Sequence, residues 1–115
     1  MDARNPQEYH GKLWDGWKYE VEASQRGGHI PGAVNIPWNQ NFTENGTFRP
    51  AEDISYLYKQ AGVTPDKEAI IYCIVGGRSN LIWFVLTYLL GYPRVRLYDG
   101  SWAEWSILIG VPIEK

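Results

Sequence analysis

The sequence predicts an α/β sandwich with a mostly parallel sheet, on three observations. Short β-like apolar runs alternate along the chain with segments of helical periodicity. One run, Ala69-Ile70-Ile71-Tyr72, is apolar throughout and too short for a helix, as suits a strand covered on both faces. A glycine-containing loop follows it directly and leads into a helical pattern, the order of a parallel strand-loop-helix unit. At 115 residues, 44% hydrophobic and 21% charged, the chain reads as one globular domain over residues 1–115, large enough to build a core without disulfide or metal staples.

The elements follow in order. Asn5-Pro6-Gln7-Glu8 predicts a short helix ended by Gly11: Asn5 can cap, Pro6 suits the first helical position, and Glu8 sits where a capping box wants it. Residues 12–28 lack a clear period, carry Trp14 and Trp17, and are expected to run over the surface to Gly27-Gly28. A turn at His29-Ile30-Pro31-Gly32 leads into the strand Ala33-Val34-Asn35-Ile36, which Pro37 stops. Asn45-Gly46 marks another turn; Pro50 opens a helix with Ile54, Leu57, Tyr58 and Ala61 on one face, and Gly62 closes it. After the central strand come the loop Cys73 to Arg78, a helix from Ser79 to Leu90 with Gly91 at its end, and a last strand from Val95 to Tyr98 before Asp99-Gly100. Only three convincing strands emerge, with none in front of Asp2-Ala3-Arg4, so the expectation is a missing N-terminal strand, through truncation or absence of a partner segment.

Composition excludes several classes. The single cysteine, Cys73, rules out an internal disulfide, and His10 and His29 make no structural metal set, so no metal or cofactor is expected. Eleven basic against thirteen acidic residues, a net charge of −2, give no footprint for nucleic acid. The longest apolar stretch, Leu81 to Leu90, is about half of the roughly 20 residues a bilayer requires. The N-terminus has no basic region followed by an apolar core, and a reducing, cytoplasmic location is expected.

The chemistry is concentrated in Cys73-Ile74-Val75-Gly76-Gly77-Arg78-Ser79, which places a nucleophile between a central strand and a helix. Open α/β sheets put their sites there. Backbone N–H groups of such a loop can converge as an anion cradle, helped by the positive end of the following helix, and Gly76 and Gly77 permit the positive φ angles that a tight loop needs. The same field favours thiolate over thiol at Cys73. The bland reading, a buried inert cysteine at a strand end, is the commoner fate of a free cysteine. It does not account for the ordered run of strand, cysteine, glycine pair, arginine and helix.

At these residues the chain resembles the rhodanese (thiosulfate sulfurtransferase) family over nearly its whole length. Asp2-Ala3-Arg4 with Glu8-Tyr9-His10-Gly11 resembles the family's start, and Gly28-His29-Ile30-Pro31-Gly32-Ala33-Val34-Asn35-Ile36-Pro37 is similar to its first signature. Val95 through Trp105, containing Tyr98-Asp99-Gly100-Ser101-Trp102-Ala103-Glu104-Trp105, matches its C-terminal signature. The closest likeness is to the C-terminal, catalytic half of bacterial tandem-domain sulfurtransferases. The resemblance implies a rhodanese-like three-layer sandwich and a Cys73 nucleophile. It also implies a sulfur relay: Cys73 takes the outer sulfur of thiosulfate or a persulfide donor, then yields it to cyanide or a thiol. Arg78 is expected either to approach the donor or to brace the loop through a carboxylate. Ile74, Val75, Gly76, Gly77, Ser79 and Trp38 are expected to line the donor site. Asp2, Arg4, His29, Asp99, Ser101, Trp102 and Glu104 are expected to support it.

Departures from the family pattern narrow the donor. Ile74 and Val75 stand where thiosulfate-preferring mammalian members carry basic residues, and Glu8 and Trp17 where mercaptopyruvate-using members carry arginines. The apolar loop thus favours a thiol-bound persulfide, or thiosulfate held by Arg78 and backbone. Cysteine-dependent phosphatases of related architecture place their arginine one residue further on, and no general-acid aspartate lies in this loop. His29, in a turn, reads as a structural hydrogen-bonding residue, and Asp99, Ser101 and Glu104 as capping groups. Asp2 and Arg4 are expected near the loop, in an ionic network with Arg78 or Glu104. Trp38, Trp83, Trp102 and Trp105 fall within or beside the motifs, where core packing and pocket lining account for them. The helix Leu81 to Leu90 is apolar nearly all round, so a second rhodanese domain or a second copy is expected to cover it. The competing reading is a non-enzymatic rhodanese module for sulfur carriage or redox sensing, or an inactive fragment.

Overall fold

The computed structural model describes residues 1–12 and 26–115. The remainder of the expected surface excursion, with Trp14 and Trp17, lies outside the described residues.

A parallel ladder forms the centre. Strand β1 (Ala69–Ile71) pairs with β2 (Val95–Leu97) in the register Ala69 to Val95 and Ile71 to Leu97. Among the described residues no strand precedes β1: the expected strand Ala33–Ile36 is reduced to a bridge at Asn35, and the first residues of the chain bridge beside it. Asp2 bridges in parallel to Asn35 on one side and to Tyr72 on the other. Asp2 N–H donates to the Val34 carbonyl at 2.8 Å and Ile36 N–H to the Asp2 carbonyl at 3.0 Å, while Ala3 N–H donates to the Tyr72 carbonyl at 2.9 Å. Residues 1–3 therefore lie between the 33–36 segment and β1. Three residues are too few for any period to register, and Asp2 is a poor strand former. Its carboxylate tolerates zero exposure because Arg4 neutralises it at 2.6 Å.

Helices flank this sheet. Helix α1 (Pro6–Tyr9) starts as expected, with the Glu8 carboxylate accepting the Asn5 N–H at 3.1 Å. Helix α2 (Ala51–Gln60) follows Pro50, carries Glu52 and Asp53 in its first turn and Lys59 in its last, and so complements its own dipole. It buries Ile54 and Tyr58, and the Tyr58 hydroxyl reaches the Asn41 side chain at 2.9 Å. Helix α3 (Gly77–Phe84) begins two residues before the expected Ser79, because Gly76 in the left-handed region serves as its N-terminal boundary. It continues as a wider π turn over Val85–Leu89. Short helix α4 (Ser101–Trp105) follows β2.

The core gathers Ala3, Ile36, Ile54, Tyr58, Ile71, Cys73, Ile82, Val85 and Leu86. Along 81–90 one face is buried through Ile82, Val85 and Leu86, while Phe84, Tyr88 and Leu89 are exposed. The fold thus covers one side of that apolar stretch. No helix among the described residues is long and apolar enough to cross a membrane.

Candidate active site

Helix α4 grips the residues that leave β1. Trp102 N–H donates to the Cys73 carbonyl and Ala103 N–H to the Ile74 carbonyl, both at 3.0 Å. Cys73 N–H donates to Ser101 Oγ at 3.2 Å, and that hydroxyl donates in turn to the Tyr98 carbonyl at 3.0 Å. Ser101 does not cap its own helix, contrary to the expectation from its Asp-Gly-Ser context. Its φ of 56° is unusual for a residue with a β-carbon, and the bond to Cys73 is what that conformation secures. Three backbone groups of two residues, Cys73 and Ile74, are thereby held by one short helix.

Beyond Cys73 the chain turns back over the thiol. Gly76, at φ 101°, points its N–H at Cys73 Sγ over 3.1 Å. The Ser79 hydroxyl lies 3.5 Å from Sγ and 2.9 Å from the Gly76 carbonyl. A β-carbon built on Gly76 would stand 3.0 Å from an Asp99 carboxylate oxygen, so Asp99 forms a wall behind the loop rather than a cap. Burial alone raises the Cys73 pKa. The Ser79 hydroxyl and the N–H groups of Ser79, Gly76 and Val75 outweigh it and hold the thiol below its ordinary value. Cys73 has no exposed surface, Ile74 is half-buried, and Val75 stands exposed at the loop tip.

This geometry sets a pH dependence. Protonated Cys73 is inert, so a thiolate-dependent rate rises with pH through the thiol pKa. Ser79→Ala removes the largest stabiliser of the thiolate, moving that rise to higher pH and lowering the rate at neutral pH about tenfold. A pH profile of Cys73 alkylation checks it; an acid limb unmoved in the variant contradicts it.

Arg78 forms a two-point pair with Glu8, at 2.8 Å and 3.0 Å. The Glu8 side chain is 4% exposed and that of Arg78 18%. Sequence reading valued Glu8 only as a helix-capping group and an alignment position; the signal it offered was an arginine in need of a carboxylate. Asp2 and Arg4 make a separate buried pair, with Arg4 also donating to the Gly28 carbonyl at 2.7 Å and its guanidinium 4.7 Å from the Trp102 ring centre. Of the network expected around Asp2 and Arg4, Asp2 acts electrostatically on Arg78, while Glu104 accepts the Tyr98 hydroxyl. His29 is buried, stacked on Tyr9 at 3.6 Å, with Nδ1 2.8 Å from the Tyr9 carbonyl and its backbone paired to Glu114. Gly28 beside it passes so close to the Glu114 carbonyl that a β-carbon would collide at 2.2 Å. Trp38 starts a single 3-10 turn, Trp38–Asn41, and lines an open groove with Asn39, Phe42, Thr43, Glu44, Gly46 and Arg49, in which no loop residue takes part.

The rhodanese-like domain model matches residues 1–108. The chain belongs to the rhodanese-like family. It is 52% identical over 115 residues to the sulfur carrier protein TtuD of Thermus thermophilus, covering all of this chain and 40% of that protein. It is 51% identical over 114 residues to a Mycobacterium leprae protein provisionally named a thiosulfate sulfurtransferase, covering 99% of this chain and 41% of the relative. The chain thus spans about 40% of the length of these curated relatives. Among solved structures, EanB in complex with ergothioneine superposes with a TM-score of 0.86 at 30% identity, over 99% of this chain and 27% of that one. A further EanB structure, with a TM-score of 0.85 at 30% identity and the same coverage, carries a cysteine persulfide. The rhodanese-like family and its α/β fold with a parallel sheet are therefore established for this chain.

Proposed function

We propose that this rhodanese domain is a sulfurtransferase in which Cys73 carries sulfane sulfur as a persulfide. The observation that carries the reading is a buried cysteine whose sulfur accepts the Gly76 N–H and lies beside the Ser79 hydroxyl. An inert core cysteine has no need of such donors. The Cys73 thiolate attacks the outer sulfur of thiosulfate; a new S–S bond forms, the old one breaks, and sulfite leaves with the electron pair. Cyanide or a thiolate then attacks the outer sulfur and releases Cys73 as thiolate. The two half-reactions give ping-pong kinetics. The loop N–H groups stabilise the anionic sulfur in both states, Arg78 braces the loop through Glu8, and α4 fixes the Cys73 backbone.

The chain acts as one domain of a longer protein, a half of a tandem whose second rhodanese domain covers exposed Phe84, Tyr88 and Leu89. A reducing compartment such as the cytoplasm keeps its acceptor thiols available. The sulfur carrier name of the Thermus relative favours a second reading, in which the persulfide is handed on and turnover with cyanide is slow.

Intact mass before and after excess thiosulfate tests the proposal. Gain of one sulfur atom per chain, discharged by cyanide with thiocyanate produced, is the expected result. A stable adduct that cyanide does not discharge selects the carrier. An unchanged mass with thiosulfate and with an organic persulfide removes both.

A further inference from the structure

Accepting Cys73 as the sulfur-accepting nucleophile, we infer that Glu8 is a specificity-determining residue: it cancels the charge of Arg78 and turns the site toward singly charged donors with an apolar body. Organic persulfides and thiosulfonates are that class, and thiosulfate, a dianion, is disfavoured.

The cationic side chain of the loop is Arg78, and its guanidinium is clamped at two points by Glu8. Glu8 is itself held, since Oε2 also accepts the Asn5 N–H, so the carboxylate cannot swing away without breaking the start of α1. The nearby Arg4 is likewise matched by Asp2 at 2.6 Å. Asp99 closes on the loop at Gly76 with another carboxylate. With Arg78 paired to a carboxylate, attraction for an anion rests mainly on the loop N–H groups and the Ser79 hydroxyl, which suit one charge on a small sulfur better than two charges spread to a sulfonate. Around the thiol the loop presents Ile74, half-buried, and Val75, 46% exposed. These side chains offer a donor's organic body apolar contact and a sulfonate oxygen no hydrogen bond. The chemistry balances for this class. The Cys73 thiolate bonds to the sulfane sulfur of a thiosulfonate, the sulfur–sulfonyl bond breaks, and its electron pair leaves on a sulfinate; no oxidant or reductant enters.

The test measures the first half-reaction by quenched intact mass, as the second-order rate of persulfide formation from thiosulfate and from benzenethiosulfonate. In Glu8→Gln the ratio of the thiosulfate rate to the benzenethiosulfonate rate rises about tenfold, because the carboxylate paired to Arg78 at two points loses its negative charge, a change that a dianion feels more strongly. A folded variant with an unchanged ratio overturns the inference, as do equal falls with both donors, which mark a merely structural glutamate. Ionic strength supplies a second measurement on the wild type, independent of how the variant folds. A neutralised site leaves the thiosulfate rate flat or rising with salt, and a steep fall overturns the inference. Absence of a persulfide from both donors in the wild type removes the parent reading and this one together. A persulfide from both, with the ratio unmoved in the variant, removes this one alone.

Discussion

Cys73→Ser abolishes sulfur transfer while leaving the fold in place. A serine hydroxyl is almost entirely protonated at neutral pH, and the donors that hold the thiol below its ordinary value cannot bring an alcohol into that range. Nor does an oxygen nucleophile form the labile S–S bond that the second half-reaction cleaves. Loss of a covalent nucleophile from an assembled site leaves only what binding and the cradle contribute, so the rate falls by at least about 10⁴-fold. The smaller hydroxyl still meets the Gly76 N–H, and urea unfolding should remain close to that of the wild type. Thiocyanate production measured beside the unfolding curve decides it. Measurable turnover by a well-folded Cys73→Ser protein would falsify the role given to Cys73.

The second large effect is on stability. Arg4→Leu leaves the Asp2 carboxylate buried with zero exposure and no counter-charge, and removing one partner of a buried pair costs about 3–5 kcal/mol. Arg4 also holds the Gly28 carbonyl and lies against the Trp102 ring, so leucine forfeits the joint between the first residues, the Gly28 loop and α4. For a domain expected to have about 5–15 kcal/mol in hand, that is a substantial part of the total. A urea midpoint within error of the wild type contradicts the argument. The paired change of Asp2 to Asn with Arg4→Leu recovers part of the loss, since the uncompensated charge is gone.

These two residues were legible in the sequence to different degrees. Cys73 stood out because cysteine, glycines, arginine and helix start are contiguous, and a local backbone motif can be read from local order. Arg4 was noticed by its place in a motif, together with Asp2, in an expected ionic network with Arg78 or Glu104; the structure pairs Arg4 directly with Asp2, and Arg78 with Glu8, the carboxylate that was not foreseen as its partner. Ser101 illustrates a different limit. A serine after Asp-Gly reads as a cap, yet its hydroxyl crosses 28 residues of sequence to receive the Cys73 N–H. No strand was read ahead of Arg4, and the structure has there only the single bridges of Asp2, held by hydrogen-bond partners on both sides that no local pattern announces.

By itself the sequence determined the α/β class, the strand-loop-helix unit with its cysteine, and the family, because periodicity, glycine placement and contiguous motifs act over a few residues. The tertiary structure alone decided which charges meet. Arg78 and Glu8 are 70 residues apart in the chain and 2.8 Å apart in space. Every carboxylate in the sequence is an equal candidate partner until packing makes one of them near and the others far, and at a buried site that proximity decides whether an arginine stands as a bare positive charge or as half of an ion pair.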